Sequence, residues 1–329
     1  MLDAKRFEKV VTSDSIDFVS RQAAMPRTLR SALLKTIRAA ASTEYPYIFA
    51  AATEINGRKC AATREIAAAV NLLQISTFIV DDVLDRAAVR YGCASLYAAL
   101  GENAAITGGV VLQQIALSRI DRSCQKLNIP ASDVTRTLLL GAPLAVYAGQ
   151  YLDDRYSGVL VPSVQQYLQT IELTTGAFIG LVAAAGGALG RCSATQQEAL
   201  YQFGRHYGLA LQMYDDVSDL TDPRSETGKP RGGDIRTGRW RLPALFAARR
   251  SPSVRRFLTR AFARVAAKKM PRATMLKCIH LIQEAGGIEE ARRMARLYAD
   301  RAEAQLQLLP QTIVTVRLRR LVADLVIAY

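Results

Sequence analysis

Histidine is nearly missing from this 329-residue chain, with only His206 and His280. Two histidines leave little from which to build a histidine-rich metal site or a Ser-His-Asp triad. Cysteine is also sparse. Cys60, Cys93, Cys124, Cys192 and Cys278 are odd in number, and no two have CxxC spacing. That argues against a disulfide framework and a zinc site, and it fits a reducing compartment, so a cytoplasmic location is expected. The opening residues, MLDAKRFEKVV, are charged and lack the apolar core of a signal peptide. Alternating β patterns are almost absent, no Pro- or Ser-rich linker divides the chain, and there is no internal repeat.

Hydrophobic residues make up half the chain, which excludes a disordered or collagen-like class. Helix formers dominate, and apolar residues recur at three- and four-residue spacing in 62–84, 163–190, 196–220 and 289–309. Breaks at Asn56-Gly57, Pro130, Pro162, Asp222-Pro223, the Gly-rich 228–238 stretch, Pro271, Gly286-Gly287 and Pro310 divide the pattern into roughly ten to twelve helices. The expected fold is all-α, one domain over residues 1–329. The uncharged run Leu173–Gly190 is borderline in length for a membrane span. Its five glycines predict a core helix packed through small residues instead.

Lys and Arg number 43 against 29 Asp and Glu, a net charge of +14. The excess is concentrated. Lys229 to Arg272 holds 14 cations and one acid, Asp234. Such a stretch forms solvated helix faces and attracts phosphate-rich ligands or an anionic surface. No nucleic-acid motif accompanies it, so no nucleic-acid partner is expected, whereas weak association with a membrane surface is.

Two acidic pentads carry the chemistry. Asp81-Asp82-Val83-Leu84-Asp85 follows NLLQISTFIV, and Asp215-Asp216-Val217-Ser218-Asp219 follows LALQMY. On a helix, positions i and i+4 share a face, so Asp81 pairs with Asp85 and Asp215 with Asp219. Carboxylates crowded this way are costly unless cations compensate them. Hard oxygen ligands at this spacing suit Mg²⁺, which often bridges to substrate phosphates. Beyond the second pentad, Thr227-Gly228-Lys229-Pro230, Gly233-Asp234 and Gly238-Arg239 form a glycine-rich, cationic stretch able to fold over phosphate oxygens.

From about residue 40 onward the chain resembles the trans-isoprenyl diphosphate synthase (polyprenyl synthetase) family. The family's two DDxxD motifs look like Asp81/Asp82/Asp85 and Asp215/Asp216/Asp219. Its FQxxDDxxD pattern appears as LQMYDDVSD, with Gln212 matching, and its GKxxGxD loop appears at Gly228–Asp234. The resemblance implies a helical bundle around a central active-site cavity and three Mg²⁺ held by the six aspartates. It also implies an allylic prenyl diphosphate substrate and a homodimer. Arg90, Gln212, Lys229 and Arg239 would hold the departing diphosphate.

The second diphosphate site departs from the family. Its GGKRxRP segment aligns with Ala40-Ala41-Ser42-Thr43-Glu44-Tyr45-Pro46, which puts Ser42 and Tyr45 where cations are usual. The family's RRG appears as Arg90-Tyr91-Gly92, so one arginine becomes Tyr91. Gln74 matches a glutamine found in that site in some members. The KT pair appears as Thr174-Thr175, and the terminal Arg as Tyr329. Each lost charge-assisted contact removes roughly 1.5–3 kcal/mol. The leading expectation is therefore an enzyme that ionises a long allylic diphosphate without adding isopentenyl diphosphate, as a terpene cyclase does. Prenyl transfer to a non-isoprenoid acceptor such as an indole or phenol, held near Ser42, Tyr45, Gln74 and Tyr91, is the alternative. Conventional chain elongation is a third reading, and a non-catalytic regulatory subunit a fourth. In the family, bulky residues four and five positions before the first pentad block the product channel; here they are Thr77 and Ser76, and by that resemblance their small size implies a deep pocket for a chain of roughly fifteen to twenty carbons or longer.

Overall fold

The computed structural model describes residues 4–40, 44–127, 130–156, 158, 160–222, 231–265 and 270–328. Among these the chain is helical almost throughout. The first half contains α1 (Ala4–Ser20), α2 (Arg27–Ala39), α3 (Glu44–Glu54), α4 (Thr63–Leu84), α5 (Leu96–Leu100), α6 (Glu102–Leu127) and α7 (Pro130–Arg155). The second half contains α8 (Val164–Ile171), α9 (Ala177–Leu189), α10 (Ala194–Thr221), α11 (Gly233–Thr237), α12 (Leu242–Arg250), α13 (Pro252–Ala263), α14 (Arg272–Glu284), α15 (Gly287–Leu306) and α16 (Ile313–Ala328). Sixteen α-helices stand among the described residues against the ten to twelve expected; α5 and α11, single turns too short for an apolar period to reveal, account for two of the excess.

Local chemistry sets several boundaries. Ser163 and Ser193 open α8 and α10 with reciprocal capping boxes to Gln166 and Gln196. Pro252, in the first turn of α13, follows Ser251, whose hydroxyl caps Val254. A π-helical turn, Glu172–Gly176, joins α8 to α9. It contains the Thr174-Thr175 pair, and such turns are frequent at functional sites.

α4 and α9 lie at the centre of a common core. Ile66–Thr77 of α4 is buried residue by residue, as is nearly all of α9. α4 (Thr63–Leu84) and the continuous helical segment Val164–Leu189, of which α9 is the last part, are long and apolar enough to cross a membrane, yet 78% and 72% of their most apolar windows are buried inside the protein. The run Leu173–Gly190 is thus a core segment, as its glycines suggested. A methyl group at Gly186 would press on the Phe49 carbonyl of α3, and one at Gly204 of α10 would sit 2.6 Å from the Ile179 carbonyl. These close approaches bring α3 and α10 against α9, and so carry the second pentad towards the first. Each large side chain buried along these contacts, such as Phe49, Phe178 or Phe203, contributes about 1.5–3 kcal/mol.

The one sheet among the described residues is a two-stranded hairpin, β1 (Val89–Arg90) and β2 (Cys93–Ala94), with Arg90 opposite Cys93. Tyr91 at φ 52° and Gly92 at φ 70° make its turn. Positive φ at both central positions matches the twist of a tight hairpin, although a tyrosine adopts it at a cost.

Candidate active site

The C-terminal turn of α4 delivers the first pentad. Arg90, at the hairpin tip, folds back onto it. Its Nη2 lies 2.7 Å from Asp81 Oδ2, and its Nε donates to Asp82 Oδ1 at 2.9 Å. Burial opposes the guanidinium charge, but Asp81 and Asp82 hold its pKa above the ordinary value. The ring of Phe78 lies beneath it, 5.1 Å from the guanidinium carbon. Asp82 is 3% exposed and tucked under Arg90, while Asp81 and Asp85 line the central cavity.

The last turns of α10 deliver the second pentad, where the carboxylates differ in their surroundings. Asp215 is exposed to the cavity. Asp216 is 2% exposed and fully engaged. Tyr167 Oη donates to it at 2.7 Å, Leu242 N at 3.1 Å and Gln212 Nε2 at 3.3 Å. Burial pushes its pKa up to about 6, against the neighbouring Arg241. Asp219 accepts from Gly233 N at 2.9 Å and Asp234 N at 3.2 Å, closing the first turn of α11. Burial and the nearby Asp234 push it up to about 7.

Three residues absent from the expected set tie the clusters together. Asp153, near the end of α7, receives Arg241 Nη1 at 2.6 Å and also pairs with Arg239. Arg239 pairs at its other end with Asp85, so Asp85, Arg239 and Asp153 form a chain across the two halves of the bundle. Arg241 Nε lies 3.3 Å from Asp234. Burial works against the Arg241 charge, but Asp153, Asp234 and Asp216 raise its pKa well above the ordinary value. Tyr167 completes the set through Asp216. A signal for Asp153 existed: Asp153-Asp154 follows the apolar run LLLGAPLAVYAGQYL in the manner of the two pentads. Nothing local marked Tyr167 or Arg241.

The cavity has a volume of about 1060 Å³, ample for a long ligand. Asp81, Asp85, Asp215, Asp216, Asp219 and Asp153 line its polar end. Thr77, Phe78, Val146, Ile171, Phe178 and Leu211 line its apolar walls. Arg241 faces it, and Arg239 does not. Gln212 also faces it but is spent on Asp216 and on Thr175, whose hydroxyl donates to it at 3.2 Å. Thr77 lies on the wall. Ser76 does not: it is fully buried, its hydroxyl bonded to the Leu73 carbonyl at 2.6 Å, because α4 turns that position towards α6.

On the side assigned to a second substrate, the structure brings Tyr45, Gln74 and Tyr91 together with Glu44. Tyr45 packs edge-on to Phe178 at 5.0 Å. Burial raises both tyrosines, Tyr91 to about 12, and Glu44 adds to the effect. Gln74 is 1% exposed, and its Oε1 has no hydrogen-bond partner. Ser42 and Lys229 lie outside the described residues.

Oxygen donors from two helices around one cavity suit a hard divalent cation. Among the described residues, no three acidic side chains converge into a ready-made metal site. The donor set therefore fits an ion that takes one or two carboxylates and completes its shell with substrate phosphates.

Comparison with known proteins agrees with this geometry. A family model described as Polyprenyl synthetase matches residues 28–279. The chain belongs to the polyprenyl synthetase family and is an enzyme of the prenyl diphosphate synthase, or prenyltransferase, type. It is 29% identical to a nonaprenyl diphosphate synthase of Mycobacterium tuberculosis over 86% of this chain and 81% of that one. It is 32% identical to a geranylgeranyl diphosphate synthase of Methanosarcina mazei over 60% of each. The crystal structure of a polyprenyl synthase from Caulobacter crescentus, complexed with calcium and isoprenyl diphosphate, superposes with a TM-score of 0.87 at 25% identity, covering 98% of this chain and 95% of that one.

Proposed function

We propose that this chain is a Mg²⁺-dependent prenyltransferase that extends an allylic prenyl diphosphate by adding isopentenyl diphosphate. The observation that carries the proposal is that Asp81, Asp85 and Asp215, from two helices, line one cavity whose lining also includes Phe78, Val146, Ile171, Phe178 and Leu211. The named relatives support chain elongation, and they lend no support to the single-substrate cyclisation that the lost cations suggested. The retained pentads speak against a regulatory subunit.

In this reading Asp81, Asp85 and Asp215 hold Mg²⁺, which supplies Lewis-acid stabilisation of the leaving diphosphate. Arg90 and Arg241 stand where they neutralise further charge as the allylic C–O bond breaks and its electron pair leaves with the diphosphate. Phe78 and Phe178 shield the cation from water. The alkene of isopentenyl diphosphate attacks, a C–C bond forms, and a proton passes to the released diphosphate. With tyrosines at positions 45 and 91, the acceptor's diphosphate meets Lys5, Arg317 and Arg320, which α1 and α16 place on the same cavity.

One observation favours a second reading, transfer to an uncharged acceptor: the wall of Glu44, Tyr45, Gln74 and Tyr91 offers hydroxyls and acceptors instead of cations. The test incubates the protein and Mg²⁺ with geranyl, farnesyl or geranylgeranyl diphosphate, with and without isopentenyl diphosphate. A longer diphosphate formed only with both substrates is the expected result. A hydrocarbon or alcohol from one substrate above background overturns elongation in favour of cyclisation. No product from either mixture, with product on adding an indole or phenol, points to the second reading.

We also propose a homodimer through α6 and α7, which leave Ile106, Val110, Leu140, Leu144 and Tyr151 exposed. Sedimentation of Leu144→Glu as a monomer, against a dimeric native chain, is the expected outcome.

A further inference from the structure

Outside the cavity, the most unbalanced surface lies on α12, α13 and α14. From Leu242 to Gln283 the sequence contains no Asp or Glu. α13 buries Val254, Leu258, Ala261 and Phe262, with Phe262 edge-on to Trp240 at 4.8 Å. That packing fixes its orientation and sends Arg256, Arg260 and Arg264 outward at four-residue spacing, with Arg255 beside them; all four are exposed. α14 packs through Met275, Cys278, Ile279 and Ile282 and exposes Arg272, Lys277 and Leu276, the last 45% exposed. Lys277 lies over the Phe257 ring at 5.0 Å, which joins the two helices into one face.

The neighbouring acids sit at the margin. Glu290 is taken by Arg250 and Arg293, and Glu284 faces His280 at 3.3 Å. Like charges one turn apart oppose the helix that carries them. None of these arginines touches the cavity, so catalysis does not account for the stripe. A row of cations around a protruding leucine is complementary to an anionic lipid surface: the cations meet headgroups, and the leucine enters the interface. What favours lipid over a nucleic-acid backbone is Leu276, 45% exposed among the cations, an apolar side chain that a lipid interface takes up and a phosphate backbone does not.

We propose that the α13–α14 face docks the enzyme on anionic phospholipid bilayers. The docking is electrostatic and peripheral, and it is independent of which acceptor the cavity takes.

The test is flotation of the full-length protein with vesicles of phosphatidylcholine alone or an equal mixture of phosphatidylcholine and phosphatidylglycerol. Binding to the mixed vesicles only, weakening as salt rises, is expected. Arg256→Glu/Arg260→Glu/Arg264→Glu should weaken it by roughly a hundredfold, at about one elementary contact per removed cation. The Arg→Gln triple at the same positions gives the same ranking if the reversed charges disturb α13. Arg58→Glu/Lys59→Glu/Arg122→Glu, which removes three exposed cations elsewhere, should leave binding unchanged. Equal binding to both vesicles, or equal loss in the two sets of variants, overturns the proposal. Preferential retention of duplex DNA over mixed vesicles at the same salt also overturns it and assigns the face to nucleic acid.

Discussion

The two acidic pentads share the pattern Asp-Asp-Val-x-Asp and differ in their situations. In the first, Asp81 and Asp85 face the cavity, and their cations come from side chains: Arg90 from the hairpin and Arg239 from beyond α11. In the second, Asp215 is exposed to the cavity. Asp216 is held by a tyrosine hydroxyl, a backbone amide and Gln212, and Asp219 by two backbone amides. The first cluster is therefore arranged mainly for ligands. The second divides its work, with one carboxylate for ligands and two that fasten α10 to α8, α11 and α12. A repeated motif need not mean a repeated role, since burial and hydrogen bonding decide what each carboxylate is free to do.

The comparison breaks most visibly at the ligand-facing carboxylates. Asp81→Asn and Asp215→Asn should each lower kcat on the order of 10³-fold, the cost of losing several kcal/mol of metal-mediated stabilisation. Both should leave the melting curve of the metal-free protein nearly unchanged. Steady-state product formation beside circular-dichroism melts reads the two quantities.

Asp216→Ala should do the reverse of Asp81→Asn in the melting experiment. It strands the Tyr167 hydroxyl and the Leu242 amide in the interior, which costs about 2–3 kcal/mol. Denaturant unfolding without divalent cation measures this, and equal stability of the two variants would contradict the division of roles.

A pH series sharpens the contrast. Asp216 and Asp219 titrate in the folded protein near 6 and 7, above the ordinary carboxylate value of 3.8. Between that value and the raised ones, the folded state holds more protons than the unfolded state. Their contribution to stability is thus fully present below 3.8 and is lost as pH rises from there to about 6 for Asp216 and about 7 for Asp219. The metal-free native protein should lose stability over that interval more steeply than Asp216→Asn/Asp219→Asn, and matching slopes would remove the basis for the assignment. The smallest effect belongs to Tyr167→Phe, which deletes one donor while Leu242 and Gln212 remain; a loss of about 1 kcal/mol is expected in the same unfolding assay.

Much of this was legible in advance because it is local. The i, i+4 spacing of Asp81 and Asp85 on a helix end, the glycines of Leu173–Gly190 and the arginine before Tyr91-Gly92 carry their consequences within a few residues. The mistaken placement of Ser76 shows where local reasoning stops. One helical step separates it from Thr77, and only the packing of α6 decides which of the two meets the cavity. Gln212 was read as a ligand to substrate, but its amide is occupied by Asp216, a fact of burial and not of spacing.

What the sequence determined by itself is the helical class, the two carboxylate clusters and the family, because each rests on residues within a turn or two of one another. Tertiary structure alone decided that Arg239 spans Asp85 and Asp153, partners 154 and 86 residues away along the chain. It also buried Asp216 beneath Tyr167, 49 residues distant, and gathered the cations of α13 and α14 on one face. Charges so far apart in sequence have no periodicity to betray their pairing. They meet only because close packing through positions such as Gly186 and Gly204 fixes where each helix end must lie.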